Sequence, residues 1–251
     1  MNNPKVSIIT ICYQAEKTIA DTIQSVLAQT YSNIEYIIID GASKDKTLAI
    51  IETFNHPRMQ VFSEKDKGLY DALNKGIAKA TGDYIGFLHA DDIYAHTEVI
   101  CEFFNLFSVY GTQAISSSVS IFKNNQFDKV FRNYDATKFR KWQFNIGIQP
   151  PHPGFFITKE SLISVGNFDT NYKISGDFDW LLRAIKKNQI TVHYSKFVSV
   201  FMRDGGISSS GLKSKILMNN EDLQSLRKNG YKSHILLIWM KYFIKSLQLL
   251  K

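Results

Sequence analysis

Thr81-Gly-Asp-Tyr-Ile-Gly-Phe-Leu-His-Ala-Asp-Asp92 passes from a Thr-Gly turn through a short apolar run into two adjacent carboxylates. An apolar run of that length, without polar alternation, reads as a strand covered on both faces. The chain before it supplies the cover. Val6-Ser-Ile-Ile-Thr-Ile-Cys12 is another such strand, and Ile19, Ile23, Val26 and Leu27 then recur at helical spacing. Ile34-Glu-Tyr-Ile-Ile-Ile39 is a strand again, with Ser43 placed to cap a helix over 45–54. Gln60-Val-Phe62 and then Leu69, Leu73 and Ile77 repeat the alternation. This order predicts an α/β fold, a Rossmann-like, mostly parallel central sheet with flanking helices. Ligands gather at the carboxyl ends of such strands, so the loops at 10–16, 40–45, 64–68 and 89–92 are expected to meet.

The second half is more mixed. Residues 115–122 and 129–132 read as strands joined by the hairpin turn Lys123-Asn-Asn-Gln126. Gln149-Pro-Pro-His-Pro-Gly154 is a stiff connector into the strand Phe155-Phe-Ile157, and a helix follows Ser175-Gly176 with Phe178, Leu181, Leu182 and Ile185 on one face. Residues 191–202 form a strand, followed by the glycine- and serine-rich loop Asp204-Gly-Gly-Ile-Ser-Ser-Ser-Gly211. The simplest division is one domain over 1–211 and a helical C-terminal extension over 212–251.

With 251 residues, 44% hydrophobic and 21% charged, the chain can bury roughly 70–75% of its unfolded surface in a proper core. That excludes disorder as the main state. Cys12 and Cys101 have no metal-type spacing, so a reducing compartment is expected. The first residues lack a signal-peptide layout, and no apolar run reaches the ~18–20 residues that span a bilayer. The expected location is the cytoplasm. The net charge is +7, and residues 212–251 carry eight of the basic residues against two acids, Glu221 and Asp222. A near-neutral body with a basic tail argues against a nucleic-acid partner. Two readings of the apolar stretch 232–251, broken by Lys241 and Lys245, stand open. It lies on an anionic membrane surface with Trp239 and Tyr242 near the headgroups, or it packs on the body with its lysines in water.

Phosphate-binding motifs are missing. There is no G-x-G-x-x-G, and Gly41-Ala-Ser-Lys-Asp-Lys-Thr47 lacks the second glycine of a P-loop. A bound phosphate would need neutralising by something else, and a metal is the natural choice. Asp91 and Asp92, at a strand end, suit either a divalent cation or a turn and helix cap. Asp40 has the same ambiguity as an Asp-Gly turn.

Four stretches taken together resemble glycosyltransferase family 2, and bacterial surface-polysaccharide assembly members in particular. They are Val6-Ser-Ile-Ile-Thr-Ile-Cys-Tyr13, Asp40-Gly-Ala-Ser-Lys-Asp45, Asp66-Lys-Gly-Leu-Tyr-Asp-Ala-Leu-Asn-Lys-Gly76 and Thr81-Gly-Asp-Tyr-Ile-Gly-Phe-Leu-His-Ala-Asp-Asp92. The resemblance covers about residues 5–210. It implies the GT-A fold, with a nucleotide-binding half over about 1–95 and an acceptor half over about 96–211. It also implies inverting transfer of a sugar from a nucleotide donor to a saccharide acceptor, plausibly lipid-linked.

By that resemblance Thr10, Tyr13 and Glu16 line the nucleoside pocket, and Asp40 accepts a hydrogen bond from a pyrimidine ring, favouring a UDP-sugar. Lys67 and Asp71 close over the donor. Asp91 and Asp92 hold Mn²⁺ or Mg²⁺ against the diphosphate, with His89 a further candidate ligand. Asp177, in Ser175-Gly-Asp-Phe-Asp-Trp180, matches the carboxylate that deprotonates the acceptor, although such a residue also reads as a helix cap. Asp179 is expected to be structural. His152 and Trp180 are placed on the acceptor side, and Arg203, Gly205 and Gly206 in a loop facing the diphosphate.

This sequence departs from the family pattern at Ile11 and Gln14, usually Pro and Asn. His89 replaces the first Asp of the metal motif, and Gly176 stands where Glu is common. Those departures favour the alternative of a catalytically inactive sugar-nucleotide or glycan-binding module. The retained Asp91, Asp92 and Asp177 favour the enzyme.

Overall fold

The computed structural model describes residues 3–122, 130–205 and 211–249, with side chains through Tyr242. Its first half is β1 (Val6–Cys12), α1 (Ile19–Leu27), β2 (Ile34–Asp40), α2 (Thr47–Glu52), β3 (Met59–Ser63), α3 (Leu69–Lys79) and β4 (Tyr84–Phe87). A two-residue strand β5 (Ile93–Tyr94) and α4 (Val99–Tyr110) lead into β6 (Ala114–Phe122) and β7 (Val130–Tyr134). Then come β8 (Phe155–Thr158), α5 (Lys159–Val165), α6 (Gly176–Leu182), β9 (Val192–Arg203), α7 (Leu212–Lys228) and α8 (Ile235–Leu249).

One sheet runs in the order β3-β2-β1-β4-β8-β6-β9-β5, with β7 paired to β6. The first four strands are parallel. β8 enters antiparallel between β4 and β6, and β6 runs parallel to β9. Strand alternation divides the core into two layers. Ile9, Ile11, Ile37 and Ile39 face a layer holding Leu73 of α3, Leu162 of α5 and Phe178 of α6. Val6, Ile8, Tyr36 and Ile38 face Ile23 of α1, Ile51 of α2 and Phe103 of α4.

The register sets where ligands meet the sheet. Cys12 lies opposite Asp40, and Asp40 opposite Ser63, so β1, β2 and β3 end level with one another. The expected convergence of their loops therefore holds. One local expectation needs correction. α2 starts at Thr47, and the Thr47 N–H is taken by Asp45 Oδ1 at 3.0 Å. Ser43 instead accepts the Gln14 N–H at 2.8 Å. Residues 212–251 contain two helices, α7 against α6 and α8 against the turn Lys141–Ile146. β7 pairs antiparallel with β6 as a hairpin would require, while the turn at 123–126 lies outside the described residues.

Glu35 is a buried carboxylate on β2 that ties three segments together. It accepts from Lys5 Nζ at 2.8 Å, Ser7 Oγ at 2.6 Å, and both the N–H and hydroxyl of Thr81 at 2.8 and 2.7 Å. Burial opposes its ionisation, but the hydrogen bonds outweigh that and bring its pKa down to about 2. An acid whose folded pKa lies below its unfolded value of about 4.3 stabilises above that pH and loses the contribution as pH falls toward 2. Glu35→Gln should therefore cost about 2–3 kcal/mol at pH 7. In urea melts the difference from wild type should shrink steadily between pH 4.5 and 2.5.

Candidate active site

The turn after β1 is fixed by side chains at alternate positions of the loop before α2. Ser43 Oγ accepts the Gln14 N–H at 2.8 Å, Thr47 Oγ1 the Ala15 N–H at 2.8 Å, and Asp45 Oδ2 the Glu16 N–H at 3.2 Å. Glu16 returns the contact by accepting the Lys46 N–H at 3.0 Å. Gln14 has φ +51°, a left-handed conformation that Asn adopts more readily than most residues, which is why Asn is common there. Tyr13 is left 59% exposed. It stands over the bare backbone of Gly41, where an added Cβ would lie 3.3 Å from the Tyr13 ring and 2.5 Å from Asp66 Oδ2. Tyr13, Gly41 and Asp66 thus come together at the ends of β1–β3, where the nucleoside cleft is expected.

Two residues expected to line that cleft lie beneath it. Thr10 is fully buried, its hydroxyl donated to the Leu88 carbonyl at 2.6 Å and accepting from Tyr36 at 3.1 Å. Asp40 is also fully buried, with Oδ2 accepting the Ser43 N–H at 3.0 Å and Ser63 Oγ at 2.6 Å. Its oxygens hold the loop, whereas Asp66 is half-buried beside Gly41 and accepts the Gly68 N–H at 2.9 Å through Oδ1. Asp71 accepts the Lys67 N–H at 3.0 Å and closes the first turn of α3, leaving the Lys67 side chain exposed.

On the other side of β4 lies a cavity of about 540 Å³. Its wall includes Asp91, His152, Asp177, Arg203 and Gly205, so these five candidates come together. Gly206 lies outside the described residues. Arg203 Nη1 donates to the Asp91 carbonyl at 3.0 Å, and Nη2 pairs with Asp21. The guanidinium thus fixes the end of β9 against the turn that carries Asp91.

Asp92 is a correction. It is 2% exposed, is not among the cavity-lining residues, and its carboxyl accepts the Arg203 N–H. Burial and neighbouring Asp91 push its pKa well up. The Asp92 N–H closes a tight turn onto the His89 carbonyl at 3.0 Å, which leaves Asp91 as the carboxylate on the cavity. His89 stacks on His152 with ring centroids 5.9 Å apart. Burial lowers the pKa of both, that of His152 to about 3, so both rings are neutral. Trp180 is also corrected. It is fully buried, packs on Phe168 and Phe155, and donates Nε1–H to the Gly166 carbonyl at 2.9 Å.

Among the described residues no three His, Cys, Asp or Glu side chains converge on a metal position. Asp91, the one carboxylate of the adjacent pair on the cavity, suits a hard cation that takes its other oxygens from water and a diphosphate, not an all-protein cage.

Asp177 sits in the first turn of α6 with Oδ1 accepting the Phe178 N–H at 2.9 Å and Oδ2 accepting Gln149 Nε2–H at 2.7 Å. Its enclosure by protein pushes its pKa up to about 6, with Asp222 adding to the rise and the Gln149 hydrogen bond opposing it. The turn before it is held from two sides. Glu221 of α7 accepts the N–H groups of Lys173, Ile174 and Ser175 at 2.9, 2.9 and 2.8 Å. Tyr70 of α3 donates to the Ile174 carbonyl at 2.5 Å. Asp179 is structural as expected, paired with Arg183 at 2.8 Å and bonded to Ser225 at 2.8 Å. Sequence reasoning missed Asp66, Tyr70, Gln149 and Glu221. The isolated acids of the basic tail were the available signal for Glu221.

The sequence model of glycosyl transferase family 2 matches residues 7–165, and the chain belongs to that family. An uncharacterized glycosyltransferase of Mycobacterium tuberculosis is 32% identical over 183 residues, which span 72% of this chain and 69% of that one. Among solved structures, residues 1–349 of S. aureus TarS in complex with UDP-GlcNAc match with a TM-score of 0.66 at 18% identity, over 87% of this chain and 66% of that one. The mannosyltransferase PcManGT from Pyrobaculum calidifontis, in complex with GDP-Man and Mn²⁺, matches at 0.68 and 17%, over 93% and 67%. The fold is GT-A, and the protein is a glycosyltransferase.

Gly176 has a steric reason for departing from the family pattern: an added Cβ would lie 2.6 Å from the Tyr70 ring. Gly176→Glu should lower the melting temperature by several degrees. Adding Tyr70→Ala should recover part of the loss, a coupling that a double-mutant cycle measures.

Proposed function

We propose that the chain transfers a sugar, with inversion, from a UDP-linked donor to a hydroxyl of a lipid-linked saccharide acceptor in surface-polysaccharide assembly. The observation that carries this reading is Asp91 and Asp177 in the wall of one cavity, with Arg203 beside Asp91. The UDP-GlcNAc bound by TarS supports a uridine donor, with GDP-Man on the mannosyltransferase as the competing class. In this reading Tyr13 and Asp66 take the base and its edge, and Asp177 takes the acceptor hydroxyl's proton as the acceptor oxygen attacks the anomeric carbon. The carbon–phosphate-oxygen bond breaks on the opposite face and the nucleoside diphosphate leaves with the electron pair. Asp91 would hold Mn²⁺ or Mg²⁺, which neutralises charge on the departing diphosphate.

A pKa near 6 leaves Asp177 ionised at neutral pH and still basic enough to accept a proton. Transfer should fall as pH drops below about 6. Asp177→Asn should cut kcat by about 10²–10⁴-fold while UDP binding, measured by calorimetry, stays within twofold. The same calorimetry with UDP, GDP and CMP, each with Mn²⁺ and with EDTA, should single out UDP with Mn²⁺. Full transfer by Asp177→Asn would sink the base assignment, and no nucleotide binding at all would favour an inactive glycan-binding module.

The extension fits contact with an anionic membrane. No helix among the described residues is long and apolar enough to cross a bilayer. Leu236, Leu237, Trp239 and Met240 of α8 are nonetheless exposed, on a segment rich in Lys. Lys241 is not one of the solvated lysines, being buried against Asp222 at 2.7 Å. Trp239→Ser with Met240→Ser should lower sedimentation with anionic liposomes by about tenfold and leave the melting temperature unchanged. Unchanged liposome binding would end the membrane reading.

A further inference from the structure

The cavity wall beside Asp177 carries two buried polar atoms that have no hydrogen-bond partner among the described residues, Gln149 Oε1 and His152 Nε2. They stand three residues apart on one segment, and Pro150 and Pro151 between them restrict the backbone. Buried polar atoms are nearly always paired, so two unpaired ones on one wall of a cavity point to a ligand. The orientation of Gln149 is fixed by chemistry. An ionised carboxylate only accepts, so the amide N–H must face Asp177 Oδ2, 2.7 Å away, and Oε1 must face elsewhere. Oε1 can only accept, so its missing partner is a donor. In a saccharide that donor is a hydroxyl.

Resting on the reading of Asp177 as the base, we propose that Gln149 selects which acceptor hydroxyl is used. Its Nε2–H holds Asp177 against the attacking hydroxyl, and its Oε1 accepts from a hydroxyl on the neighbouring carbon. The acceptor class is then a saccharide with two adjacent free hydroxyls. Gln149 is a positioning and specificity residue, and the proton passes from the attacked hydroxyl to Asp177 alone. Ionisable groups around Asp177 include Tyr70 from α3, Glu221 and Asp222 from α7 and Lys241 from α8, with His152, Asp91, Arg203 and Asp204 on the same cavity wall. Gln149 is the neutral group that hydrogen-bonds the carboxylate from the connector.

The test uses the full chain with UDP-sugar, Mn²⁺ and n-octyl glycosides as acceptors, each compared with a derivative lacking one hydroxyl. Gln149→Met keeps the volume and removes both hydrogen bonds. On wild type, deleting the neighbouring hydroxyl should lower kcat/KM by about tenfold. On Gln149→Met the intact glycoside should already be slower by a similar factor, and the deletion should cost nothing more. The acid limb of kcat should also move to higher pH, because Asp177 has lost a hydrogen bond to its charged form. That limb is read on hydrolysis of the UDP-sugar by water as well, so it does not depend on any one glycoside. UDP binding should match wild type, and the melting temperature should fall only by the few degrees that one lost hydrogen bond costs. A variant that keeps the wild-type deoxy penalty and acid limb overturns the proposal. If Asp177→Asn is fully active the base reading falls first. An inactive Asp177→Asn beside a wild-type-like Gln149→Met removes Gln149 alone.

Discussion

Three consecutive backbone N–H groups, at Lys173, Ile174 and Ser175, converge on the single carboxylate of Glu221. Left unpaired in a buried position, each would cost about 1–3 kcal/mol, so the turn before α6 depends on α7 for its conformation. Asp177 stands two residues beyond that turn. The Ser175 hydroxyl adds a bond to the Met218 carbonyl at 3.2 Å, and Asp222, next to Glu221, pairs with Lys241 of α8. A segment that reads as an appendage therefore shapes the turn that carries Asp177. Its two acids, isolated in a basic tail, are both spent on fixed contacts rather than on solubility.

The ends of β1–β3 are built on a different principle. There the sheet register brings Cys12, Asp40 and Ser63 level, and the loops beyond are held by short polar side chains within a few residues of the strands. The contacts join two loops that leave adjacent strands, from alternating positions such as Ser43, Asp45 and Thr47. That explains how buried Asp40 and Thr10 can serve the site without touching a ligand: they fix the backbone that Tyr13 and Gly41 present. Substituting either would move the cleft rather than remove a contact from it.

Legibility follows the same division. β1 to β4 were readable because unbroken apolar runs and helical spacing are local signals, and the convergence of their loops follows from parallel pairing alone. The family stretches added Asp91 and Asp177, which do meet in one cavity. What could not be read is which of two adjacent acids faces inward. Asp92 turns into the protein because its N–H closes onto His89 and its carboxyl meets the Arg203 backbone, a contact across more than a hundred residues. Trp180 and Lys241 were misplaced for a related reason. Each has an apolar portion that packs and a polar end whose partner, Gly166 or Asp222, no periodicity reveals.

The cavity that holds Asp91 and Asp177 draws on the turn after β4, on β6 and β7, the 149–153 connector, α6, the end of β9 and both helices of the extension, segments spread over more than half the chain. The surface around Tyr13 draws on three strand ends within the first seventy residues. A recognition surface assembled from near neighbours constrains sequence in short stretches, and such stretches identify a nucleotide-sugar enzyme. One assembled from distant segments can change at any of them without disturbing the others. The cavity is shaped by tertiary contacts such as Gln149 to Asp177 and Lys241 to Asp222. Reading it requires asking which buried polar atoms the fold leaves unpaired, a question that only the assembled structure poses.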